Sequence, residues 1–329
     1  MISFYELLFY YSYGIPFLLI NIRTAYILIA KHTQFSSSYY RVFFLCALND
    51  ILLYISNQLQ IRLPSFQLFY DLFYSKFTEP SYYFMPIQFT LMFTSYFTNC
   101  SAFLLSINRL TAVWMYSSYE RIWRKYTIPI LLLSFGGTFV LTFPTFFAQI
   151  GFKQIQIDNS TNYTKLTIKT SFVPWNLTTV NSITVGSFTL LGLIVNAFTL
   201  YFWQKRKSLI PERHQEFQWR LLFLTIVIYS LHFISFLFNT FKAYMFDGLI
   251  QSYRAYGAVS DSMALIPSLA IILVSPSLRL LVLPDWIFSS LRSTWEAYGL
   301  QSTTNGNATS IVVQPYSPNQ QRSSRTNQI

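Results

Sequence analysis

The chain has 329 residues, 53% of them hydrophobic and 19% aromatic, with only 11% charged and a net charge of +11. Soluble domains carry roughly a quarter charged residues, so most of this surface must face something other than water. That excludes a soluble enzyme, and it excludes a nucleic-acid-binding protein, whose basic face needs a soluble body to sit on.

Seven windows are apolar and long enough for a bilayer core of about 30 Å, which takes roughly 20 helical residues. They run over about 7–30, 40–62, 82–110, 127–150, 179–203, 220–246 and 254–281. The expected fold is an all-α integral membrane bundle of seven transmembrane helices spanning 1–283. The first window has no Lys or Arg before Arg23. It therefore lacks the basic start of a cleavable signal peptide and is expected to remain as a span. In the same window Asn21 lies at the depth of Asp50 in the second ("CALNDILLY"), next to Asn49. Asn21 is a candidate hydrogen-bond partner for Asp50. The third window begins near Pro86, which neighbouring helices can tolerate, and ends on Asn108-Arg109, followed by Arg121, Trp123, Arg124 and Lys125.

The loop over 151–178 carries three glycosylation sequons, at Asn159, Asn162 and Asn176. After Pro284, Trp286, Ile287, Leu291 and Trp295 recur near helical spacing. Residues 284–300 thus read as an amphipathic helix on the inner membrane surface. Residues 301–329 are rich in Ser, Thr, Asn and Gln, with little to bury, and are expected to form a disordered cytosolic tail.

Lys and Arg concentrate on the cytoplasmic side of membrane proteins. With the N-terminus outside, fifteen cations fall in inner segments and seven in outer ones, and Arg23 lies within a span. The three sequons in one outer loop agree, so the N-terminus is expected outside and the C-terminus in the cytosol. The cations after Arg109 would hold their loop against anionic lipids of the inner leaflet.

Ionisable groups inside a bilayer are costly and mark function or tight pairing. Asp50, with Asn21 and Asn49, reads either as a helix-binding polar centre or as a switch or cation site. Asp261 lies about two turns below the outer end of the last window, at the depth where an outward pocket would close. Gln88, Thr184 and Asn239 fall at comparable depth, and these four are ligand-pocket candidates. Each of them alone is equally well explained by hydrogen bonding between helices. The last window has no Lys between Ala255 and Leu278, so it offers no Schiff-base site for retinal. Cys46 and Cys100 lie in apolar runs and supply neither a disulfide framework nor a zinc spacing. His232 is the one His within a window, no nucleophile–base set is present, and no Gly-rich phosphate loop occurs. No enzyme activity, metal or cofactor is expected.

The segment "SINRLTAVWMYSSYERIWRKY", with "YSYGIPFLLI" before it and "LIPSLAIILVSPSLR" after it, resembles the nematode serpentine chemoreceptors of the gamma class. The related v and u classes come next. The resemblance covers roughly residues 5–285. It implies a chemosensory receptor of the plasma membrane, in ciliated sensory neurons, that binds a small chemical cue outside and signals through a heterotrimeric G protein inside. Asn108-Arg109 would then stand where rhodopsin-like receptors carry an acid followed by arginine, and Arg109, Arg121 and Trp123 would serve coupling. Asn108 replaces the acid, Ser275-Pro276 replaces an Asn-Pro pair, and the disulfide between the third span and the following outer loop is missing. A transporter built from two similar three-helix halves and a channel subunit are the alternatives, although windows 1–3 and 5–7 show no likeness.

Overall fold

A computed structural model describes residues 4–158, 161–170, 177–209, 212–245 and 249–282. The described residues form seven long helices: α1 (Phe4–Ala30), α2 (Ser38–Asn57), α4 (Met85–Trp114), α5 (Tyr119–Thr142), α6 (Leu177–Arg206), α7 (Glu212–Met245) and α8 (Leu249–Val274). The one-turn α3 (Gln67–Phe69) and the short α9 (Pro276–Val282) complete the helical set. Consecutive long helices pack side by side from α1 to α5 and again from α6 to α8. The last, α8, returns to α1 and α2, so the bundle closes on itself.

Six helices are long and apolar enough to cross a membrane: Tyr5–Ala30, Ser38–Ser65, Tyr119–Phe147, Val180–Arg206, Gln218–Phe238 and Gly257–Val274. The seventh, α4, has the length but not the apolarity. It packs against α2, α5, α6 and α7, and it buries Gln88, Thr94, Thr98, Asn99, Ser101, Ser106, Asn108 and Arg109. A helix shielded by four neighbours meets little lipid, so polar side chains cost it less as long as the neighbours satisfy them. The reverse pattern marks the periphery. Ile128, Leu132, Leu133 and Val140 on α5 are 67–77% exposed, and Leu190 on α6 is 61% exposed. In water such a surface would be an aggregation patch; in lipid it is the expected exterior.

Three sequence expectations need correction. The fold is not wholly helical, because β1 (Ala148–Asp158) and β2 (Thr161–Thr170) form an antiparallel hairpin with Ala148 opposite Thr170. The predicted helix over 127–150 starts earlier, at Tyr119, and stops at Thr142. A 3₁₀ turn with Pro144 follows, and the strand starts at Ala148. The predicted window 254–281 is broken at Ser275, whose hydroxyl caps α9 by accepting from the Leu278 N–H at 3.4 Å, with Pro276 at the first helical position. Residues 284–300 and 301–329, and the sequon residues Asn159 and Asn176, lie outside the described residues. Asn162 lies in β2 opposite Gln156.

Beyond Asn57, α2 widens into a π-helical turn over Gln58–Arg62 and then tightens into a 3₁₀ turn at Leu63–Ser65. The hairpin docks on the segment that follows. Ile150 and Ser81 exchange backbone hydrogen bonds of 2.8 and 3.0 Å, and the Phe152 N–H donates to the Phe77 carbonyl at 2.8 Å. Tyr74, Phe84 and Phe152 pack with ring centroids 4.8–5.5 Å apart. Gly151 lies so close to the Glu79–Pro80 peptide that a Cβ would come within 2.9 Å of two of its backbone atoms. Gly151→Ala should therefore push the hairpin off this cap at a cost of about 1–3 kcal/mol, the usual scale of overpacking against an unyielding neighbour. Limited proteolysis of the purified protein should show faster cleavage within 148–170; an unchanged rate would mean the close approach is not required.

Candidate functional site

One end of the bundle is organised by a single arginine. Arg109, near the end of α4, is 2% exposed. It donates to Gln218 Oε1 on α7 at 3.0 Å, to the Tyr119 hydroxyl at the start of α5 at 3.0 Å, and to Asn108 Oδ1 at 2.5 Å. Its guanidinium carbon lies 4.3 Å from the centroid of the Tyr39 ring on α2, within the range of a cation–π contact. All three acceptors are neutral. Around them runs a closed set of bonds: Tyr119 donates to Asn108 Oδ1 at 2.9 Å, Ser38 donates to the Tyr119 oxygen at 2.7 Å, and Asn108 Nδ2 donates to Ser38 at 3.4 Å. Arg109 thus ties α2, α4, α5 and α7 together without an ion pair.

Trp123 and Arg121, the other two residues expected to serve coupling, are separated by the helix. Trp123 is 2% exposed, and its indole N–H donates to the Thr111 hydroxyl at 2.7 Å, locking α5 against the last turn of α4. Arg121 is exposed on the opposite side. Trp123 therefore positions the inner loop from within, while Arg121 belongs to its surface.

In the middle layer, Asp50 and Asn49 are buried on α2. Asn49 donates to the Thr94 carbonyl at 3.0 Å and to the Thr98 hydroxyl at 2.6 Å, and Thr98 donates to Asp50 Oδ1 at 3.5 Å. The bond anticipated between Asn21 and Asp50 is not formed. Asn21 Nδ2 instead donates to the Ala264 carbonyl of α8 at 2.9 Å. His232 on α7 meets Asn99 Oδ1 at 2.9 Å, and Asn196 on α6 donates to Ser106 at 3.0 Å.

At the opposite end of the bundle, Asp261 of α8 pairs with Arg62 of the π-helical turn at 2.9 Å, their side chains only 3% and 2% exposed. Tyr13 of α1 donates to the same carboxylate oxygen at 2.9 Å, and the Tyr10 ring lies 3.6 Å from the guanidinium carbon. Gln88 is buried and accepts from Gln60. Of the four pocket candidates, Gln88 and Asp261 thus meet the same π-helical turn, Gln88 at Gln60 in its middle and Asp261 at Arg62 at its end, and both are engaged by protein. Thr184 is half-buried on α6, with no hydrogen bond among the described residues. Asn239 lies in α7, and its side chain falls outside the described residues. A shallow apolar cleft of about 170 Å³ between α7 and α8, lined by Leu231, Ile234, Ala258, Val259, Ser262 and Met263, runs beside Asp261.

Sequence reasoning missed Arg62, Tyr39 and Gln218. It counted Arg62 as an outer-loop charge, although an arginine following a span at the depth of Asp261 was a signal for the pair. Nothing in the local sequence marks Tyr39 or Gln218, which reach Arg109 only through the bundle.

These helices, apolar outside and polar within, define a multi-pass membrane protein of the receptor-like kind. The chain belongs to the Srg family of chemoreceptors, whose family model, described as Srg family chemoreceptor, matches residues 7–282. No curated protein matches it.

Asn108→Asp would set a carboxylate 2.5 Å from the Arg109 guanidinium. Buried ion pairs gain little net free energy, because desolvation offsets attraction. The substitution should lower basal signalling by the equivalent of about 1 kcal/mol or less in the conformational equilibrium. Basal second-messenger output per surface receptor checks this, and a rise would mean that Asn108 does not hold the resting arrangement.

Proposed function

We propose that this chain is a G-protein-coupled chemosensory receptor that binds a small chemical cue outside the cell and signals to a heterotrimeric G protein inside. In this reading residues 1–283 form a seven-span receptor domain of the plasma membrane, at home in a sensory cilium. Its N-terminus is outside, residues 284–300 lie along the inner leaflet, and 301–329 form a cytosolic tail. Membership of a chemoreceptor family supports the sensory role. The observation that carries the coupling role is the Arg109 cluster. A guanidinium is held by neutral groups from four helices at the end where the basic loops gather, so each bond can be traded for a carbonyl of an inserted partner helix without breaking an ion pair among the described residues. Asn108 and Tyr119 would release Arg109, Trp123 would hold the loop in place, and Arg121 would face the partner. Asp50, Asn49 and Asn21 would form the polar centre through which the two ends communicate.

Arg109→Ala should reach the cell surface yet respond about tenfold or more weakly, the scale of losing one charged hydrogen-bonding partner in a complex. Cue-evoked and basal calcium or cyclic-nucleotide signals, normalised to surface expression, decide it: parent-like signalling would reduce Arg109 to a membrane-boundary anchor.

The orientation has its own check. Glycan should be found on Asn159, Asn162 or Asn176, and a tag placed after Ile329 should be protected on intact cells. Digestion of that tag by external protease would reverse the topology.

A further inference from the structure

The outer ion pair makes unusually strong demands. Arg62 and Asp261 are almost completely buried, and no part of the Proposed function uses them as a pair. Taking both charges out of solvent costs several kcal/mol each, and a neutral, well-packed pair would often serve stability as well. The pair is also incompletely satisfied, since Arg62 Nε and Asp261 Oδ1 have no hydrogen-bond partner. It sits on a π-helical turn, an irregularity that recurs at functional sites. Gly257, one turn before Asp261, leaves just the room that the guanidinium occupies, for a Cβ there would come within 2.5 Å of the Arg62 carbon. Asn57 and Ser260, at 2.5 Å, add a second tie between the same two elements.

The helix that carries Asp261 is built to bend. Pro267 lies inside α8; it donates no backbone bond to Met263 and crowds that carbonyl. The Ser268 hydroxyl beside it is buried with no partner. At the far end of α8, Ser275 meets the Tyr40 hydroxyl at 3.2 Å, and Tyr40 adjoins the Tyr39 ring that lies under Arg109. Asp261 and Ser275 are separated by about 21 Å of helix at 1.5 Å per residue, with the proline between them.

We propose that the Arg62–Asp261 pair is the outer latch of the receptor. Closed, it holds α8 against α1 and the end of α2. Opened, it lets α8 flex at Pro267 and loosens the Ser275–Tyr40 contact next to the Arg109 cluster. The latch rests on the reading of this chain as a two-state receptor, and it names the element whose two positions the outer and inner ends share.

The test uses the full-length protein in membranes, with Ser260→Cys as an outer reporter and, separately, Ser275→Cys as an inner one. Each is labelled with a membrane-impermeant maleimide, on intact cells or on inside-out vesicles, against a control carrying only the native cysteines. Asp261→Asn keeps the side-chain volume but strands the Arg62 charge, whereas Gly257→Ala keeps both charges and displaces the guanidinium sterically. Either change should speed labelling of both reporters about tenfold, the equivalent of shifting a local opening equilibrium by 1.4 kcal/mol. Arg62→Asp combined with Asp261→Arg should return labelling towards the parent rate.

Unchanged labelling at Ser260→Cys in both variants overturns the latch, and acceleration there without acceleration at Ser275→Cys overturns its connection to the inner face. If both reporters accelerate and no form of the receptor signals through a G protein, the latch stands and the G-protein reading fails.

Discussion

Everything in this bundle follows from the cost of a polar group away from water. The lipid-facing helices avoid that cost by carrying almost nothing polar outward, as α5 does with Ile128, Leu132, Leu133 and Val140. The innermost helix, α4, takes the opposite course and concentrates amides, hydroxyls and an arginine where α2, α5, α6 and α7 can partner them. Its polarity leaves it outside the set of six helices apolar enough to cross a membrane alone, and the same polarity makes it the axis of the molecule. Each of its hydrogen bonds to a neighbour fixes a rotation and a height, which greasy packing alone specifies poorly.

Among the described residues two arginines are buried, Arg62 beyond the end of α2 and Arg109 on α4, and they are handled differently. Arg62 is neutralised by a carboxylate and backed by the Tyr10 ring. Arg109 has only neutral acceptors and the Tyr39 ring. A buried pair that loses one partner leaves an uncompensated charge and resists opening. A guanidinium held by an amide, a phenol and a glutamine can exchange partners one bond at a time. The Arg62 end is thus the stiffer of the two, and the Arg109 end the more exchangeable. Between them α8 carries Asp261 near its midpoint, Pro267 closer to its C-terminal end and Ser275 just beyond that end.

The hairpin and the segment over 63–84 add a cap of aromatic rings at the outer end, near the π-helical turn. Tyr74 links the two directly, since its hydroxyl donates to the Leu59 carbonyl at 2.6 Å while its ring packs on Phe152.

The membrane class and the approximate positions of the long helices were legible in the sequence, because apolar runs of about 20 residues are local signals. The buried state of Asp50, Gln88 and Asp261 was legible for the same reason: each stands inside a run that lipid or protein must cover. What the sequence could not determine was partnership. Asn21 was placed beside Asp50 by depth alone, yet it bonds to α8, because helix rotation decides which donor meets which acceptor. Arg62 looked like a loop cation until the π-helical turn aimed it inward at a residue 199 positions away. The hairpin left a local signal of its own, since Gln154–Asp158 and Lys165–Lys169 alternate polar and apolar residues, but its docking on the 63–84 segment is written in no local window. Apolarity along the chain set which segments cross; the geometry of packing, which no local window contains, decided which polar groups meet.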